Sequence, residues 1–546
     1  MDKSNSRAKR RVEKVAETSF FSRLAFGSTS ECSSNSRAKR RVEKSECSSN
    51  SRAKRRVEKS ECSSNTRAKR RVEKSECSSN KIYFIGIGGI GASALAKYYL
   101  KKGYQVSGSD LVPSEITKAL LKLGAKVFSG SHKAKNLSKN TDLVIYSPAV
   151  QSKNPELKKA KKLGIKCQSY PEALGELTKK YFTIAVSGTH GKSTTTAMIG
   201  LLLTKAGLDP TVIVGTKLKE FGDSNCRIGK SEYLVIEADE HFASFLNYWP
   251  KIIVLTNLEA DHLDYYKNLK NYISAFKKFI YQASVGSEDE EENVVLFASH
   301  LPEKGTLVAN KDDENILKLT KNTKQRTEFY SLKQKESEKI REILKIPGEH
   351  NVSNALATLK VARILKIPDK VSFKALSEYK GSWRRFEIIK EKPFVVISDY
   401  AHHPTEIKAT LEGAREKYLY PPKFSKGKLR QARNKIWLVY QPHQYQRTFY
   451  LFKDFVRVFR QAPIDKIIIT DIFDVAGRED REIKKKVNSE KLVEAIKKPN
   501  VIYLPKSKIL NYLKKNLRGG PPDGEAKEVV IIMGAGNIYL LTNSFK

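Results

Sequence analysis

Two apolar runs, each followed directly by a glycine-rich turn, constrain what this chain can fold into more than any other feature. Residues 81–85 lead into a turn at 86–91, and residues 182–186 lead into a second turn at 187–196. In each case we expect a buried strand, a tight turn and a helix, and the first N–H groups of such a helix are free to bind phosphate. The sequence therefore predicts an α/β protein with two phosphate-binding units.

The first unit continues from its Gly-Ile-Gly-Gly-Ile-Gly turn into a predicted helix over 92–102 and a strand over 104–108, which ends at Ser109 and Asp110. Glycines in such a turn let the backbone approach a phosphate closely. The pattern is typical of NAD or FAD binding, with Asp110 on a ribose hydroxyl, but any nucleotide diphosphate satisfies the same chemistry. The alternative interpretation is a glycine turn needed only for packing of the strand against the helix.

The second turn reads Gly-Thr-His-Gly-Lys-Ser-Thr and resembles a P-loop. Its backbone N–H groups would hold phosphates, Lys192 would neutralise the β and γ oxygens, and the hydroxyl of Ser193 or Thr194 can ligate Mg²⁺. The spacing departs from the usual motif, because Val186 stands where the first glycine is expected. The strand before the turn and the helix after it still favour a P-loop over a chance Gly-Lys-Ser.

Acidic residues follow two further apolar runs, as a metal-dependent P-loop requires. Residues 233–236 end in Glu-Ala-Asp-Glu at 237–240, and residues 252–257 lead to Glu-Ala-Asp-His at 259–262. Carboxylates and an imidazole at two strand ends could complete the coordination of one or two Mg²⁺ ions. The alternative, for Asp239, Glu240 and Asp261, is that these acids only cap the helices that follow.

The net charge of +41, from 101 Lys plus Arg against 60 Asp plus Glu in 546 residues, suggests a nucleic-acid or anionic-membrane partner unless it has another origin. Residues 1–80 hold 22 of the basic and 10 of the acidic residues, in repeats of Arg-Ala-Lys-Arg-Arg-Val-Glu-Lys. Because each repeat offers a single valine for burial, we expect this segment to be a disordered, low-complexity extension. A basic arm that binds nucleic acid or phospholipid is the alternative.

The remaining residues contain two cysteines, Cys167 and Cys226, and no Cys-x-x-Cys pair. That argues against a disulfide framework or a zinc site and fits a reducing compartment. The sequence has no apolar run of about 18 residues that would predict a membrane span. We therefore expect a soluble, cytoplasmic protein.

Seven motifs together carry a resemblance to the Mur ligases, over essentially all of residues 81–546. They are Gly-Ile-Gly-Gly-Ile-Gly at 86–91, Gly-Thr-His-Gly-Lys-Ser-Thr at 188–194, Glu-Ala-Asp-Glu at 237–240, Asn-Leu-Glu-Ala-Asp-His at 257–262, Pro-Gly-Glu-His-Asn-Val-Ser-Asn at 347–354, Arg-Arg-Phe-Glu at 384–387 and Asp-Tyr-Ala-His-His-Pro-Thr-Glu at 399–406. The motifs occur in the order and approximate spacing of that family.

The resemblance implies three α/β domains after the extension at 1–80. They are a Rossmann-like UDP-sugar-binding domain at 81–180, a central P-loop ATPase domain at 181–382 and a Rossmann-like C-terminal ligase domain at 383–546. It also implies ATP and Mg²⁺ as cofactors and a reaction of peptidoglycan precursor synthesis. ATP would phosphorylate the lactyl carboxylate of UDP-N-acetylmuramate, and the amine of L-alanine would attack the acyl phosphate.

Three other functions compete with this interpretation. The nearest is a recycling ligase that attaches a tripeptide to the same sugar nucleotide. An NAD-dependent oxidoreductase is more remote, because no dehydrogenase chemistry requires a P-loop. A nucleic-acid-binding protein would depend on residues 1–80 alone. The sequence gives no indication of the oligomeric state.

The resemblance also implies roles for individual residues. ATP would contact Gly188, Thr189, His190, Gly191, Lys192, Ser193, Thr194, Asn351 and Asn354; the UDP-sugar would contact Gly86, Gly88, Gly89, Gly91, Ser109 and Asp110. Metal would be held by Ser193, Glu237 and His262, while Lys192, Glu237, His262, Arg385 and Asp399 would form the catalytic set. Arg385 and Asp399 would reach the nucleotide only when the C-terminal domain closes. For Asn351 and Asn354 the alternative is an ordinary amide helix cap.

Tyr400, His402, His443 and Arg447 are the residues that the resemblance assigns to the amino acid. The family typically carries two arginines for the amino-acid carboxylate, and this chain keeps Arg447 but has Gln444 in place of the other. One charge fewer in a carboxylate clamp is expected to weaken amino-acid binding or change its selectivity.

Overall fold

A computed structural model describes residues 80–285, 305–323, 325–419, 434–475, 481–518 and 528–545 of the chain. The repeats predicted to be a disordered extension lie outside these residues. Within the described ranges the secondary structure forms three sheets, each flanked by helices.

The first sheet is entirely parallel, with strand order β3-β2-β1-β4-β5. Its strands are β1 (Lys81–Ile85), β2 (Gln105–Asp110), β3 (Lys126–Ser129), β4 (Leu143–Tyr146) and β5 (Lys166–Ser169), and its helices are α1 (Ile90–Lys101), α2 (Glu115–Lys122), α3 (Pro155–Lys162) and α4 (Tyr170–Lys180). Strand β1 is apolar throughout because both of its faces are covered. The chain order reverses between β1 and β4, so the first glycine turn lies where α/β sheets bind ligands.

The second sheet has seven strands in the order β12-β11-β10-β6-β9-β7-β8, and only the β7–β8 pair is antiparallel. Its strands are β6 (Phe182–Ser187), β7 (Thr211–Leu218), β8 (Ser224–Arg227), β9 (Tyr233–Glu237), β10 (Ile252–Leu255), β11 (Thr306–Asn310) and β12 (Arg326–Tyr330). Strand β6 lies between β9 and β10, so the P-loop-like turn and the acids that follow both neighbours meet at one sheet edge.

Seven helices among the described residues accompany this sheet. They are α5 (Lys192–Lys205), α6 (Leu263–Tyr266), α7 (Leu269–Val285), α8 (Glu314–Thr320), α9 (Glu336–Ile343), α10 (Glu349–Ile364) and α11 (Asp369–Glu378). Helix α5 is buried on all sides because it is enclosed by the sheet, α10 and α11, and residues 193–203 are all buried. This burial fixes the position of the turn that precedes α5.

The third sheet has the order β13-β14-β18-β15-β16-β17 and is parallel apart from its edge strand β13. Its strands are β13 (Glu387–Lys390), β14 (Val395–Asp399), β15 (Lys435–Tyr440), β16 (Lys466–Ile469), β17 (Val501–Tyr503) and β18 (Glu528–Met533). Its helices are α12 (Pro404–Leu419), α13 (Tyr445–Tyr450), α14 (Phe452–Gln461), α15 (Arg481–Lys486), α16 (Ser489–Ile496) and α17 (Lys506–Asn516). Strand β14 is fully buried, and the motif at 399–406 begins at its last residue, at the carboxyl end of the strand.

The α/β fold class predicted from the sequence is confirmed, and the two glycine turns connect strand to helix as expected. The boundaries of two elements differ slightly from the predicted ones. Strand β2 extends to Asp110, and helix α1 begins within the glycine turn, at Ile90. Each sheet takes its strands from one of the three ranges 81–180, 181–382 and 383–546. No helix in the described part of the chain is long and apolar enough to span a membrane.

Candidate functional site

The P-loop-like turn between β6 and α5 adopts a backbone that only glycine accepts easily at two positions. Gly188 has φ of +130° and Gly191 has φ of +82°. A Cβ atom on Gly188 would lie 2.2 Å from Thr256 Oγ1, and one on Gly191 would lie 2.5 Å from Asn354 Oδ1. The neighbouring strand also holds the turn, because His190 N donates to Asn257 Oδ1 at 2.9 Å and Thr256 Oγ1 donates to the carbonyl of His190 at 2.6 Å.

Lys192, the first residue of α5, folds its ammonium group back over this turn. Its Nζ donates to the carbonyl of Gly188 at 2.6 Å and to Glu240 Oε1 at 3.0 Å. Burial by itself would lower the pKa of Lys192, but the carboxylates of Glu240, Asp239 and Glu237 together outweigh burial and the pKa is raised. Burial raises the pKa of Glu240 to about 7, with Lys192 opposing that rise. A phosphate that bound here would compete with Glu240 for the ammonium group.

Glu237 and His262 reach the same edge of the sheet from β9 and from the segment after β10. Glu237 Oε1 accepts from Gly215 N at 2.6 Å, and the hydroxyl of Ser193 donates to the Glu237 carboxylate. Burial lowers the pKa of His262 to about 4, so its imidazole is neutral near pH 7. The three residues of the predicted metal set, Ser193, Glu237 and His262, all line one cavity.

Two further acids lie beside His262. Asp239 Oδ1 accepts from His241 N at 3.4 Å, as a cap would, whereas the Glu240 side chain makes no cap hydrogen bond. Asp239 and Glu240 offer oxygens that lie within 4.8 Å of each other and of a ring nitrogen of His262. Glu240 is fully buried and forms an ion pair with Lys192. A neutral imidazole, a hydroxyl and carboxylates are donors that suit a divalent cation bound to phosphate. The residues present therefore fit Mg²⁺.

A cavity of about 270 Å³ opens on the α10 side of the turn, between the second and third sheets. Its lining includes Gly191, Thr194, Asn351, Asn354 and Tyr379. The side-chain amide of Asn351 donates to the carbonyl of Pro347 at 2.6 Å, a local contact that differs from a helix cap, whose side-chain oxygen accepts from a backbone N–H. Asn354 lies against Gly191 instead, so the two asparagines have different environments.

Arg385 and Asp399 both line this cavity, but their side chains contact different groups. Asp399 accepts from Phe386 N at 2.7 Å and from Ala401 N at 2.8 Å, so its carboxylate fixes the backbone on both sides of the site. Burial raises the pKa of Asp399. The Arg385 guanidinium lies 4.9 Å from the centre of the Tyr400 ring.

A second cavity, of about 320 Å³, lies on the other side of the turn and is lined by residues from all three sheets. The lining residues are Ile90, Gly91, Tyr170, Thr189, His190, Gly191, Lys192, Ser193, Ile213, Val214, Gly215, Glu237, Asp239, Tyr248, Asp261, His262, Arg385, Tyr400, His402 and Glu406. His190, Gly191, Arg385 and Glu406 line both cavities. The P-loop-like turn therefore separates two adjoining chambers.

The first glycine turn contributes Gly91 to this second chamber, where a Cβ on that glycine would lie 2.7 Å from the Tyr170 ring. Asp110 Oδ2 accepts from Gly88 N at 2.8 Å and so holds the turn itself. The Ser109 hydroxyl donates to the buried Glu156 at 2.5 Å, and it contributes to the turn through its carbonyl, which accepts from the N–H groups of Gly86 and Ile87. Gly89 precedes α1 as its N-cap residue.

The residues predicted to bind the amino acid lie together beyond His262. The side chain of Arg447 is 8% exposed and donates to Asp261 Oδ1 at 3.3 Å, and its Nη1 lies 3.4 Å from His443 Nδ1. The rings of His402 and His443 are 5.8 Å apart, and Tyr400 is 5.3 Å from His402. The carboxylate of Asp261 therefore occupies one side of the guanidinium that was predicted to receive an amino-acid carboxylate.

Glu406 and Glu259 lie on either side of the P-loop histidine, His190. The sequence assigned no role to Glu406 and placed Glu259 only among the acids of a possible Mg²⁺ site. His190 Nδ1 lies 3.2 Å from Glu406 Oε1, and its Nε2 lies 3.6 Å from Glu259 Oε2. Thr405 donates to Glu259 at 2.7 Å and links the third sheet to the second. Burial by itself would lower the pKa of His190, but its interactions with the carboxylates of Glu259 and Glu406 raise it to about 9. His190 and Glu406 are 216 residues apart in the sequence, so no local pattern could predict their contact. The only signal was that both acids lie within motifs.

Comparison with known protein families decides what kind of protein this is. The model described as the Mur ligase family, catalytic domain, matches residues 81–182; the Mur ligase middle domain matches 186–362; and the Mur ligase, glutamate ligase domain, matches 384–536. The chain belongs to the Mur ligase family. The resemblance inferred from the seven motifs is thus confirmed.

Relatives of this Mur ligase include the UDP-N-acetylmuramate--L-alanine ligases of Acetivibrio thermocellus and Clostridium tetani, each 40% identical to it. The matches cover 85% and 84% of this chain and 95% and 96% of those proteins. The crystal structure of the UDP-N-acetylmuramate-alanine ligase from Thermotoga maritima is 27% identical, with a TM-score of 0.64 over 85% of this chain and 98% of that one. A murein peptide ligase from Psychrobacter arcticus shares the fold at 21% identity and a TM-score of 0.58.

Proposed function

We propose that this Mur ligase joins L-alanine to the lactyl carboxylate of UDP-N-acetylmuramate with ATP as the energy source, in peptidoglycan precursor synthesis. The observation that carries the proposal is the position of the P-loop-like turn between two chambers. One chamber offers Asn351 and Asn354 to a nucleotide, and the other is lined by Lys192 and His262 and by Gly91 of the first glycine turn. The identity of 40% to UDP-N-acetylmuramate--L-alanine ligases supports this choice of substrates.

In this proposal ATP lies across the turn, with its base in the smaller chamber and its γ-phosphate facing the larger one. A carboxylate that attacks the γ-phosphate brings two anions together, so the site must supply positive charge. Lys192 supplies it, by exchanging Glu240 for phosphate oxygens. Arg385, which borders both chambers, adds a second cation when the third sheet lies over the turn. The amine of alanine then attacks the acyl phosphate, and phosphate leaves.

We also propose Mg²⁺ as the metal, held by Ser193, Glu237 and His262. When bound, Mg²⁺ would supply positive charge that stabilises the negative charge developing during phosphoryl transfer. The chain supports it through the neutral state of His262 and through Gly215 N, which orients Glu237. We further propose the domain limits 81–180, 181–382 and 383–546. Because ATP and a UDP-sugar are its proposed substrates, we expect the enzyme to act in the cytoplasm.

The amino acid is expected to bind near Arg447, with Tyr400, His402 and His443 around it. Arg447 is already paired with Asp261, so the carboxylate of alanine would share or displace that partner. A single arginine at this position favours a small amino acid with one carboxylate. A tripeptide substrate, as the recycling ligase would use, carries additional carboxylates that require further cations.

The test is release of inorganic phosphate by the full chain with ATP, Mg²⁺ and UDP-N-acetylmuramate, with one acceptor added at a time. L-Alanine, glycine, L-serine and the tripeptide are the acceptors. We expect the highest kcat/KM with L-alanine. Faster turnover with the tripeptide would replace the proposal with the recycling reaction, and binding of NAD without phosphate release would contradict both.

A Lys192→Ala variant serves as the control for the P-loop assignment. Loss of one cation that touches the transferred phosphate is expected to reduce phosphate release at least a thousandfold, equal to about 4 kcal/mol of transition-state stabilisation. Activity within a few-fold of the unmodified enzyme would show that this turn does not bind the reacting nucleotide.

A further inference from the structure

The imidazole of His262 is held by few polar contacts for a ring that is proposed to bind a metal ion. Its Nε2 lies 3.6 Å from Glu240 Oε1 and 3.9 Å from Asp261 Oδ2, and both separations exceed a hydrogen bond. Within the described part of the chain, the hydrogen bonds of His262 come from its backbone, including its N–H to Asp261 Oδ1 at 2.7 Å. Histidine ligands are ordinarily oriented by a hydrogen bond from the second ring nitrogen. Another contact must therefore orient this ring.

That contact is a stack of aromatic rings. The ring of His241 lies parallel to that of His262, with centroids 4.1 Å apart and planes 12° apart. Phe242 stacks on the opposite face of His241, at 4.0 Å and 17°. Tyr265 meets Phe242 edge-on at 5.4 Å. His241 is thus enclosed between the proposed metal ligand and a phenyl ring.

The backbone that produces this stack is strained. Phe242 and Ala243 adopt φ of +56° and +54°, and His262 adopts +50°. Left-handed geometry costs a non-glycine residue about 1–2 kcal/mol. Such strain persists where the surroundings fix the conformation, and it is concentrated at functional sites. Here the strained residues lie in the two segments whose rings stack.

We propose that His241 is a positioning residue, whose ring holds the imidazole of His262 in the orientation that binds the divalent cation. The proposal rests on the metal-binding role proposed for His262. It assigns the orienting function, which a hydrogen bond usually performs, to a flat ring packed against the ligand. A flat side chain without ring nitrogens should therefore serve in place of His241, whereas a methyl group should not.

The test measures binding of Mn²⁺ to the full chain by electron paramagnetic resonance, with a non-hydrolysable ATP analogue bound. We expect His241→Ala to raise the Kd for Mn²⁺ about tenfold, the lower end of the effect of losing an orienting partner of a metal ligand. His241→Phe keeps a ring on His262 and should stay within about threefold of the unmodified protein. In turnover, His241→Ala should raise the Mg²⁺ concentration needed for half-maximal rate and leave kcat at saturating Mg²⁺ within about twofold.

His262→Ala separates this inference from the proposed function. If His262→Ala weakens Mn²⁺ binding while His241→Ala leaves it unchanged, the positioning role is refuted and the metal site stands. If His262→Ala itself leaves binding unchanged, the metal role of His262 is refuted. Equal losses in His241→Ala and His241→Phe would also refute the stacking role, because the ring nitrogens would then matter. Near-ultraviolet circular dichroism checks that each variant is folded.

Discussion

The glycine at position 191 offers the sharpest test of how the turn holds its nucleotide, because the chain contains a matched control. Gly191 and Gly207 have nearly the same backbone, with φ of +82° and +81°. Replacing either glycine with alanine costs a similar free energy, about 1–2 kcal/mol, because an alanine must then adopt a left-handed backbone conformation. A Cβ on Gly207 meets no atom within 4 Å, whereas one on Gly191 lies 2.5 Å from Asn354 Oδ1. Only Gly191→Ala therefore displaces Asn354.

The expected magnitude follows from that contact. A carbon and an oxygen do not approach within about 3 Å without repulsion, so the buried Asn354 amide must move away from the nucleotide chamber. Loss of one hydrogen bond to ATP costs about 1.5 kcal/mol, which corresponds to roughly a tenfold loss of kcat/KM for ATP. The assay is phosphate release at saturating UDP-sugar and L-alanine, with ATP varied. Gly207→Ala should keep kcat/KM within about twofold.

The decisive control repeats the Gly191→Ala substitution in a protein that already carries Asn354→Ala. If Gly191→Ala acts by displacing Asn354, its effect should shrink to that of Gly207→Ala once the asparagine side chain is absent. An undiminished effect in that background would refute the steric argument. So would a Gly191→Ala enzyme with unchanged kcat/KM.

Three further predictions follow from the same site. His190 has a pKa raised to about 9 in the folded protein, against about 6.5 in the unfolded chain, so it contributes stability that is complete below pH 6.5 and is lost as pH rises to 9. The difference in unfolding free energy between the unmodified protein and His190→Gln, measured by urea titration, should therefore fall between pH 6.5 and 9. A constant difference would contradict the pairing of His190 with the two acids. Arg447→Lys removes the bidentate fork and should raise KM for L-alanine about tenfold while changing KM for ATP less than twofold; an equal rise in both would contradict its placement at the amino-acid end. Deletion of residues 1–79 should leave phosphate release within about twofold, and its loss would show that the repeats take part in the reaction.

The local elements of this protein could be predicted from its sequence. Apolar runs of four to six residues predicted β1, β6, β9 and β10, and the turn after β6 predicted the start of α5. These elements are determined by nearest neighbours: glycine permits positive φ, and an apolar run without polar alternation requires burial on both faces. Ser193, Glu237 and His262 were expected near one edge of the sheet, because adjacent parallel strands end there, and all three line one cavity. Their role as metal ligands stays a prediction.

The directions of individual side chains could not be predicted in this way. Ser109 was expected at the UDP-sugar, yet its hydroxyl donates to Glu156 inside the first sheet's packing. Asp399 was assigned to the catalytic set, and its oxygens accept from backbone N–H groups around Arg385. A period-two strand pattern gives the face of a residue, but the partner on that face comes from another part of the chain.

The sequence by itself thus determined the fold class, the two phosphate-binding turns and the residue types gathered around them. The tertiary structure alone decided the pairings: Lys192 with Glu240, Arg447 with Asp261, His190 with Glu406, and the ring of His241 on His262. Backbone geometry and burial are encoded locally, so they can be predicted from short stretches of sequence. Charge pairs and ring stacks between distant segments form only where three separately folded sheets bring those segments within a few ångströms.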